Sequence, residues 1–230
     1  MQQPTYRTPV EALQATDEFY ARQEGFQYPP EKVHEWVRAH VELPPTGRVL
    51  DLCCGDGIWS KGIQEVNPSL ELFGIDISTG AIQKARRLLG ADEEHFVVGD
   101  TETPLPFADG HFDLIFARGP GLYNQHDMDR PAAIRVIEDW HRKLTPRGRF
   151  YSIFYSNPEL MGTYTPIERV KLPYNRCPRK TDAVDFGGGK YHHTIRSFLT
   201  PFWKASSVEI ARYSFISNVH VLVARRHGEK

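Results

Sequence analysis

Short apolar runs typical of buried strands alternate over much of the chain with segments whose apolar residues recur at helical spacing. The strands predicted in this part cover residues 48–53, 70–75, 95–98, 112–117 and 149–154, and the helices between them cover 59–66, 78–89 and 131–144. Strands that alternate with helices predict a doubly wound α/β fold, in which a mostly parallel sheet carries helices on both faces.

The two ends of the chain depart from this alternation. The pattern predicts helices over 10–23 and 31–41, and strands over 208–215 and 219–224. Three residues between those last two strands are too few for a helical crossover, so the strands are expected to form an antiparallel hairpin.

Residues 155–193 have little periodicity and contain four prolines and the run Gly187-Gly188-Gly189. A loop of this length inside a compact domain is usually either functional or disordered. We expect one domain over 1–230, with 1–45 as a helical lid and 155–193 as an insertion over the active site at the carboxyl edge of the sheet.

Charge and composition narrow the classes of partner. Lys and Arg number 28 against 29 Asp and Glu, so the net charge of -1 attracts neither nucleic acid nor anionic lipid. No stretch approaches the roughly 20 apolar residues that span a bilayer, and the first residues do not resemble a signal peptide. Cys53, Cys54 and Cys177 lack the paired spacing of a zinc site. We expect a cytoplasmic protein without a membrane partner or a metal.

Candidate chemistry begins at the end of the first predicted strand, in Val49-Leu50-Asp51-Leu52-Cys53-Cys54-Gly55-Asp56-Gly57. Gly55 and Gly57 fall in the first strand-to-helix turn, where an open α/β sheet commonly binds its ligand and where the following helix favours an anionic group. Asp76 ends the second strand, where a carboxylate can accept two hydrogen bonds from a ribose diol. This spacing predicts a nucleoside cofactor, and both a nicotinamide dinucleotide and S-adenosylmethionine would fit it.

These residues resemble the class I S-adenosylmethionine-dependent methyltransferases, over about 20–225. The family's glycine motif usually runs Val-Leu-Asp-Leu-Gly-Cys-Gly-Thr-Gly, from which this chain departs at Cys53 and Asp56. Residues 98–107 resemble the third-strand motif, 112–115 the fourth strand and 144–150 the turn into the fifth. The terminal hairpin agrees with this family, and Ser60 stands where the dehydrogenase pattern has a third glycine.

The resemblance implies a Rossmann-like, mostly parallel sheet of seven strands with a C-terminal antiparallel hairpin, and S-adenosylmethionine as the cofactor. By resemblance, Asp51 supports the glycine turn and the methionine amino group, Asp76 holds the ribose, Ile77 packs on adenine, and Asp100 with Thr101 reads the edge of the base. The cofactor-binding set that we expect is Asp51, Cys53, Gly55, Gly57, Asp76, Ile77, Asp100, Thr101 and Ala117. Taken singly, the three aspartates could instead cap a turn or a helix or stabilise a loop.

The acceptor is expected to meet the loop 117–126 that follows the fourth strand. Its Gly119-Pro120-Gly121-Leu122-Tyr123 departs from the Asn-or-Asp-Pro-Pro-Tyr pattern of many nucleic-acid and protein-amide methyltransferases, which favours a small-molecule acceptor. Tyr123, Asn124 and His126 are candidate acceptor contacts, with loop packing as the alternative.

His193 is the first choice for a general base or an acceptor contact, with a surface or core histidine as the alternative. It precedes Thr200-Pro201, which is expected to open a helix. A base is needed only when the acceptor carries a proton at neutral pH.

Other functions remain open at this stage. The chain could be another S-adenosylmethionine user, a binding module without catalysis, a nicotinamide enzyme, or a nucleic-acid or protein methyltransferase. A nucleic-acid methyltransferase could use the pairs Arg86-Arg87 or Arg225-Arg226, but such short basic pairs usually sit solvated on a surface. The sequence indicates no oligomeric state.

Overall fold

The computed structural model describes residues 9–125, 128, 130–155, 170–172, 183–185, 192–194, 200–202, 205–214 and 218–226. The chain divides into two compact units. The amino-terminal unit comprises Tyr6–Leu105 with Phe112–Ala117, and the carboxyl-terminal unit comprises Met1–Thr5, Pro106–His111 and Arg118–Lys230.

The amino-terminal unit is built on a parallel ladder of four strands with helices between them. Its elements are α1 (Pro9–Arg22), α2 (Pro30–His40), β1 (Gly47–Leu52), α3 (Ile58–Val66), β2 (Leu70–Asp76), α4 (Thr79–Leu89), β3 (Phe96–Val98) and β4 (Phe112–Arg118). The strand order is β3-β2-β1-β4, and every pairing is parallel. This ladder confirms the α/β fold class that the alternation predicts.

The strands β1, β2 and β4 form the core of this unit. Leu50, Ile75 and Ile115 lie on three different strands and are fully buried. Parallel strands are covered by helices on both faces, which agrees with the continuous burial of residues 49–52 in β1 and 114–117 in β4.

Local sequence signals fix the helix ends. Pro30 occupies the first turn of α2, where its missing N–H costs no hydrogen bond. The side chain of Ser78 accepts a hydrogen bond from the Ala81 N–H at 3.1 Å and caps α4. Gly90 ends α4 with a φ of 65°, a left-handed conformation that glycine adopts without steric cost.

The carboxyl-terminal unit contains an antiparallel ladder. Its elements are α5 (Leu122–Gln125), α6 (Pro131–Arg142), β5 (Leu144–Tyr155), β6 (Val170–Leu172), β7 (Ala183–Asp185), β8 (His192–Thr194), a 3-10 helix (Thr200–Phe202), β9 (Ala205–Ser214) and β10 (Asn218–Arg226). The order is β5-β10-β9-β6, and β7 pairs separately with β8. The β9–β10 pair confirms the predicted C-terminal hairpin.

Two expectations from the sequence are not met. The count of seven strands is not confirmed, because each ladder has four strands once the three-residue β6 pairs with β9. Thr200-Pro201 opens a 3-10 helix of three residues and not an α-helix, because β9 already begins at Ala205. The single domain, the lid over 1–45 and the insertion over 155–193 stay predictions, and most of 155–193 lies outside the described residues.

None of the helices within the described ranges combines the length and the apolar character needed to cross a bilayer.

His141 lies near the end of α6 among aromatic rings. Its ring centroid is 5.8 Å from that of Phe150 and 5.4 Å from that of Phe202. Its Nε2 is buried, without a hydrogen-bond partner in the part of the chain that the structure describes. Burial, reinforced by the positive charge of Arg226 and opposed by Glu138, lowers the pKa of His141 to about 4.

This shift predicts a specific loss of stability in acid. Between pH 6.5 and about 4 the unfolded chain binds a proton at this histidine and the folded chain does not, so stability falls as the pH is lowered through that window. His141→Phe removes the titrating group and keeps an aromatic ring. In urea unfolding from pH 7 to 4.5, the wild type should lose up to about 1.4 kcal/mol per pH unit more than the variant. Equal slopes for the two proteins would contradict the assignment.

Candidate functional site

The turn between β1 and α3 has an unusual backbone. Cys53, Gly55 and Gly57 all have positive φ values, of 63°, 56° and 81°. Cys53 is the one non-glycine residue with a positive φ in the part of the chain that the structure describes. It therefore keeps the left-handed conformation that the usual glycine of this motif adopts freely, and which costs other residues roughly 1–2 kcal/mol.

Asp76 holds this turn from the end of β2. Its Oδ2 accepts a hydrogen bond from the Gly55 N–H at 2.9 Å, and its Oδ1 accepts one from the Ser78 N–H at 3.0 Å. The residue is only 7% exposed. Asp76 thus stabilises both the glycine turn and the start of α4.

Asp51 lies beneath the turn and anchors the helix that follows. Its Oδ2 accepts a hydrogen bond from the Ser60 hydroxyl at 2.6 Å, and both residues are buried. A short hydrogen bond to a buried carboxylate is among the stronger kinds in proteins. The glycine-rich turn and the first turn of α3 are therefore fastened together.

The loop after β3 approaches the same turn. The Cys53 Sγ lies 3.5 Å from the Thr101 Oγ1. Asp100 folds this loop, because its Oδ1 accepts the Glu102 N–H at 2.9 Å and its backbone carbonyl accepts the Thr103 N–H at 3.2 Å. Since Cys53 turns its side chain toward Thr101, the departure from glycine contributes a contact between two predicted cofactor residues.

The structure brings the nine predicted cofactor residues to one edge of the amino-terminal unit. They follow or end the four parallel strands, whose carboxyl ends share that edge. Ile77 is half-buried between Asp76 and α4, and Ala117 is buried near the end of β4, where it pairs with Leu52. This is the edge at which doubly wound sheets bind ligands.

The two glycines of the turn face different neighbours. A Cβ on Gly57 would lie 2.8 Å from the Cβ and 2.9 Å from the Cα of Ala85, so close packing against α4 requires glycine there. A Cβ on Gly55 would overlap the hydroxyl of Tyr20, which comes from α1. The position of Gly57 in the cofactor site stays a prediction that concerns its backbone alone.

Asp56 occupies the position where the family usually has threonine. It is 1% exposed, and its Oδ2 accepts hydrogen bonds from the Gln27 N–H at 2.9 Å and from the Gln23 Nε2 at 3.3 Å. Its Oδ1 accepts the Ile58 N–H at 3.3 Å. Asp56 therefore joins the turn to the segment between α1 and α2. In the sequence, the aspartate in place of threonine marks this position as unusual, but it does not indicate the hydrogen-bond partners of Asp56.

Cys54 is buried beside the two acids of the site. Burial, followed by the negative charges of Asp51 and Asp76, raises the pKa of its thiol well above the usual value. A thiol that stays protonated is a poor nucleophile, which agrees with its assignment to packing.

The expected acceptor-side residues belong to the carboxyl-terminal unit. The Tyr123 hydroxyl lies 3.0 Å from the Ser152 Oγ, and the residue is 2% exposed. Such a buried hydrogen bond is what the packing alternative predicts for Tyr123. The backbone of His193 lies in β8, opposite Val184. His126 lies outside the described residues, and so do the side chains of His193 and Asn124.

The sequence from 49 to 148 matches the profile of a family described as a methyltransferase domain. Residues 49–148 are therefore similar to methyltransferase domains, which supports the family that the sequence motifs resemble. The demethylmenaquinone methyltransferase of Lactococcus lactis is 34% identical to it over 116 residues, which are 49% of this chain and 43% of that protein. The malonyl-[acyl-carrier protein] O-methyltransferase of Legionella pneumophila is 37% identical over 78 residues, or 34% and 27% of the two chains.

The chain thus spans about half, or less, of the length of these curated relatives. Two solved structures share the fold of the methyltransferase domain. The CcbJ methyltransferase of Streptomyces caelestis aligns with a TM-score of 0.57 and 17% identity, covering 92% of this chain and 96% of that one. A S-adenosylmethionine-dependent methyltransferase of Methanosarcina mazei aligns with a TM-score of 0.55 and 17% identity, covering 83% and 97%. At such identities the likeness concerns the fold alone.

The packing of α4 on the glycine turn can be tested with a matched pair of variants. Gly57 and Gly90 both have positive φ, but a Cβ on Gly90 meets no atom within 4 Å. Gly90→Ala should cost only backbone strain, about 1–2 kcal/mol. Gly57→Ala should cost about 1–3 kcal/mol more, because its Cβ overlaps the α4 backbone. Urea unfolding of both variants measures the difference, and equal losses would show that α4 does not constrain the turn.

Proposed function

We propose that this protein transfers a methyl group from S-adenosylmethionine to a small-molecule acceptor. The observation that carries the proposal is the position of Asp76, a buried carboxylate that holds the glycine turn at the carboxyl ends of the parallel strands, where doubly wound sheets bind ligands. The methyltransferase family of residues 49–148 supports the same reaction.

The residues at this edge fit an adenosine group. Asp76 would accept hydrogen bonds from the two ribose hydroxyls, and Asp100 with Thr101 would bind the edge of the base. Val98 pairs with Asp76 across the ladder and is 48% exposed, although large apolar side chains are commonly buried. Together with half-buried Ile77, it would give the flat base an apolar surface.

When bound, the sulfonium of S-adenosylmethionine supplies an electrophilic methyl group, and transfer is an in-line displacement. The protein's main contribution is then to hold the acceptor in line and to exclude water. Asp51 would support the turn and the methionine amino group. His193 remains the first candidate for a general base or acceptor contact, ahead of His126 and Tyr123, since the Tyr123 hydroxyl is engaged with Ser152.

A small acceptor is supported by the loop 119–123, which departs from the pattern of many nucleic-acid and protein-amide methyltransferases. It is also supported by relatives named for demethylmenaquinone and for malonyl-[acyl-carrier protein]. Those two names point to different acceptors, so they favour a class of substrate and no single compound.

Cofactor binding is tested by calorimetry with S-adenosylhomocysteine. The wild type should bind it and should not bind NAD. Asp76→Asn should weaken the affinity at least about tenfold, because charge-assisted hydrogen bonds to the ribose are lost. Asp92→Asn is the matched control: Asp92 precedes β3 at the opposite edge of the sheet, is 63% exposed in its side chain and bonds His95 at 2.7 Å. A wild type without affinity for S-adenosylhomocysteine would refute the proposed function.

Catalysis is tested by the release of S-adenosylhomocysteine from a panel of small acceptors that includes demethylmenaquinone analogues. His193→Ala should leave cofactor affinity unchanged and lower turnover by about 10²–10⁴-fold if His193 is a general base. His95→Ala serves as the control, because His95 precedes β3 at the amino-terminal ends of the strands and bonds Asp92. Unchanged turnover in His193→Ala would remove it from the mechanism. Cofactor binding without transfer to any acceptor would instead favour a non-catalytic binding module.

A further inference from the structure

Tyr20 lies against the glycine turn although it comes from a helix that carries no residue of the expected cofactor set. Its hydroxyl occupies the space that a side chain on Gly55 would need. The tyrosine is only 6% exposed, and its ring packs edge-to-face on Phe19 with centroids 5.1 Å apart. The hydroxyl group therefore has a defined position next to the backbone of the turn.

The backbone that carries Tyr20 is anchored to α4. The Lys84 Nζ donates hydrogen bonds to the carbonyl oxygens of Tyr20 at 2.6 Å and Gln23 at 2.9 Å. These carbonyls belong to the end of α1, where the last turn leaves acceptors without partners inside the helix. A lysine placed there donates hydrogen bonds to these carbonyls and interacts favourably with the negative end of the helix dipole.

Two further contacts hold α1 and the segment after it. The Ser78 hydroxyl donates a hydrogen bond to Asp17 of α1. Asp56 accepts hydrogen bonds from Gln23 and Gln27. The residues that hold α1 and this segment lie in two elements. Asp56 belongs to the glycine turn, Ser78 caps α4, and Lys84 lies within α4. The orientation of Tyr20 is thus tied to the same elements that surround the expected cofactor.

An anionic ligand group beside the glycine turn would need a hydrogen-bond donor other than the Gly55 amide. The Gly55 N–H already donates a hydrogen bond to Asp76 at 2.9 Å, so an anionic ligand group beside Gly55 would have to compete with Asp76 for this amide. A tyrosine hydroxyl can donate a hydrogen bond to a carboxylate, and the Tyr20 hydroxyl lies directly beside Gly55. By the family resemblance, the amino-acid end of the cofactor, which carries such a carboxylate, would approach the glycine turn.

We propose that Tyr20 is a cofactor-binding residue whose hydroxyl donates a hydrogen bond to the amino-acid carboxylate of bound S-adenosylmethionine. The inference rests on the proposed function. It makes α1 part of the cofactor site and assigns recognition of the amino-acid end to a residue outside the glycine motif. A tyrosine that only packed against the turn would not distinguish ligands that have this end from ligands that lack it.

Two ligands separate these roles. S-Adenosylhomocysteine has the amino-acid end, whereas 5′-methylthioadenosine keeps the adenosine and the thioether sulfur without it. In Tyr20→Phe, which removes only the hydroxyl, the affinity for S-adenosylhomocysteine should fall about tenfold or more, as expected for a hydrogen bond to a charged group. The affinity for 5′-methylthioadenosine should stay within about twofold, which also shows that the variant is folded. Tyr28→Phe, another tyrosine of this unit that is 9% exposed, should leave both affinities unchanged.

The possible results differ in what they overturn. If Tyr20→Phe weakens both ligands equally, or neither, Tyr20 packs against the turn without reading the amino-acid end and the inference is wrong. If the wild type binds neither ligand, the proposed function fails and the inference fails with it. Selective loss of S-adenosylhomocysteine affinity in Tyr20→Phe alone supports both.

Discussion

The site depends on one buried carboxylate that connects two parallel strands through the backbone that follows them. Asp76 ends β2 and accepts the N–H groups of Gly55, after β1, and of Ser78, before α4. Burying a charged group is costly unless hydrogen bonds compensate, and here two backbone donors do so. The same two bonds fix the turn and the first residues of α4, so the geometry of the edge follows from how this one charge is satisfied.

For the acids at this edge, a structural role and the proposed cofactor role are compatible. From the sequence, capping a turn and binding a cofactor are alternatives for Asp51 and Asp76. In the structure, Asp51 bonds Ser60 and Asp76 bonds two amides, so each has the structural role. A carboxylate positioned in advance by such bonds loses little entropy when it accepts further donors from a ligand. The structural contacts of these acids are therefore consistent with the proposed binding of a cofactor.

Local sequence patterns predicted the main strands and the residues at their ends, but not the contacts between segments that are distant in sequence. The parallel strands, the hairpin and the collection of Asp51, Asp76 and Asp100 at one edge follow from apolar spacing and strand ends. The sequence did not predict β6, because a strand of three residues has no detectable periodicity. The contacts of Tyr20 with the turn, and of Asp56 with Gln23 and Gln27, join segments about thirty residues apart, and no local pattern specifies which side chains meet across such a gap.

Cys53 illustrates how the surrounding contacts maintain a strained residue in the turn. Its positive φ is unfavourable for a residue with a Cβ. The next residue is fixed on both sides, because the Cys54 N–H donates to Ile75 at 3.1 Å and the Cys54 carbonyl accepts the Gly57 N–H at 3.1 Å. With Gly57 held against Ala85 as well, the chain has little freedom to relax at Cys53. Since the Cys53 Sγ contacts Thr101, this conformation places a polarisable side chain between the glycine turn and the loop after β3.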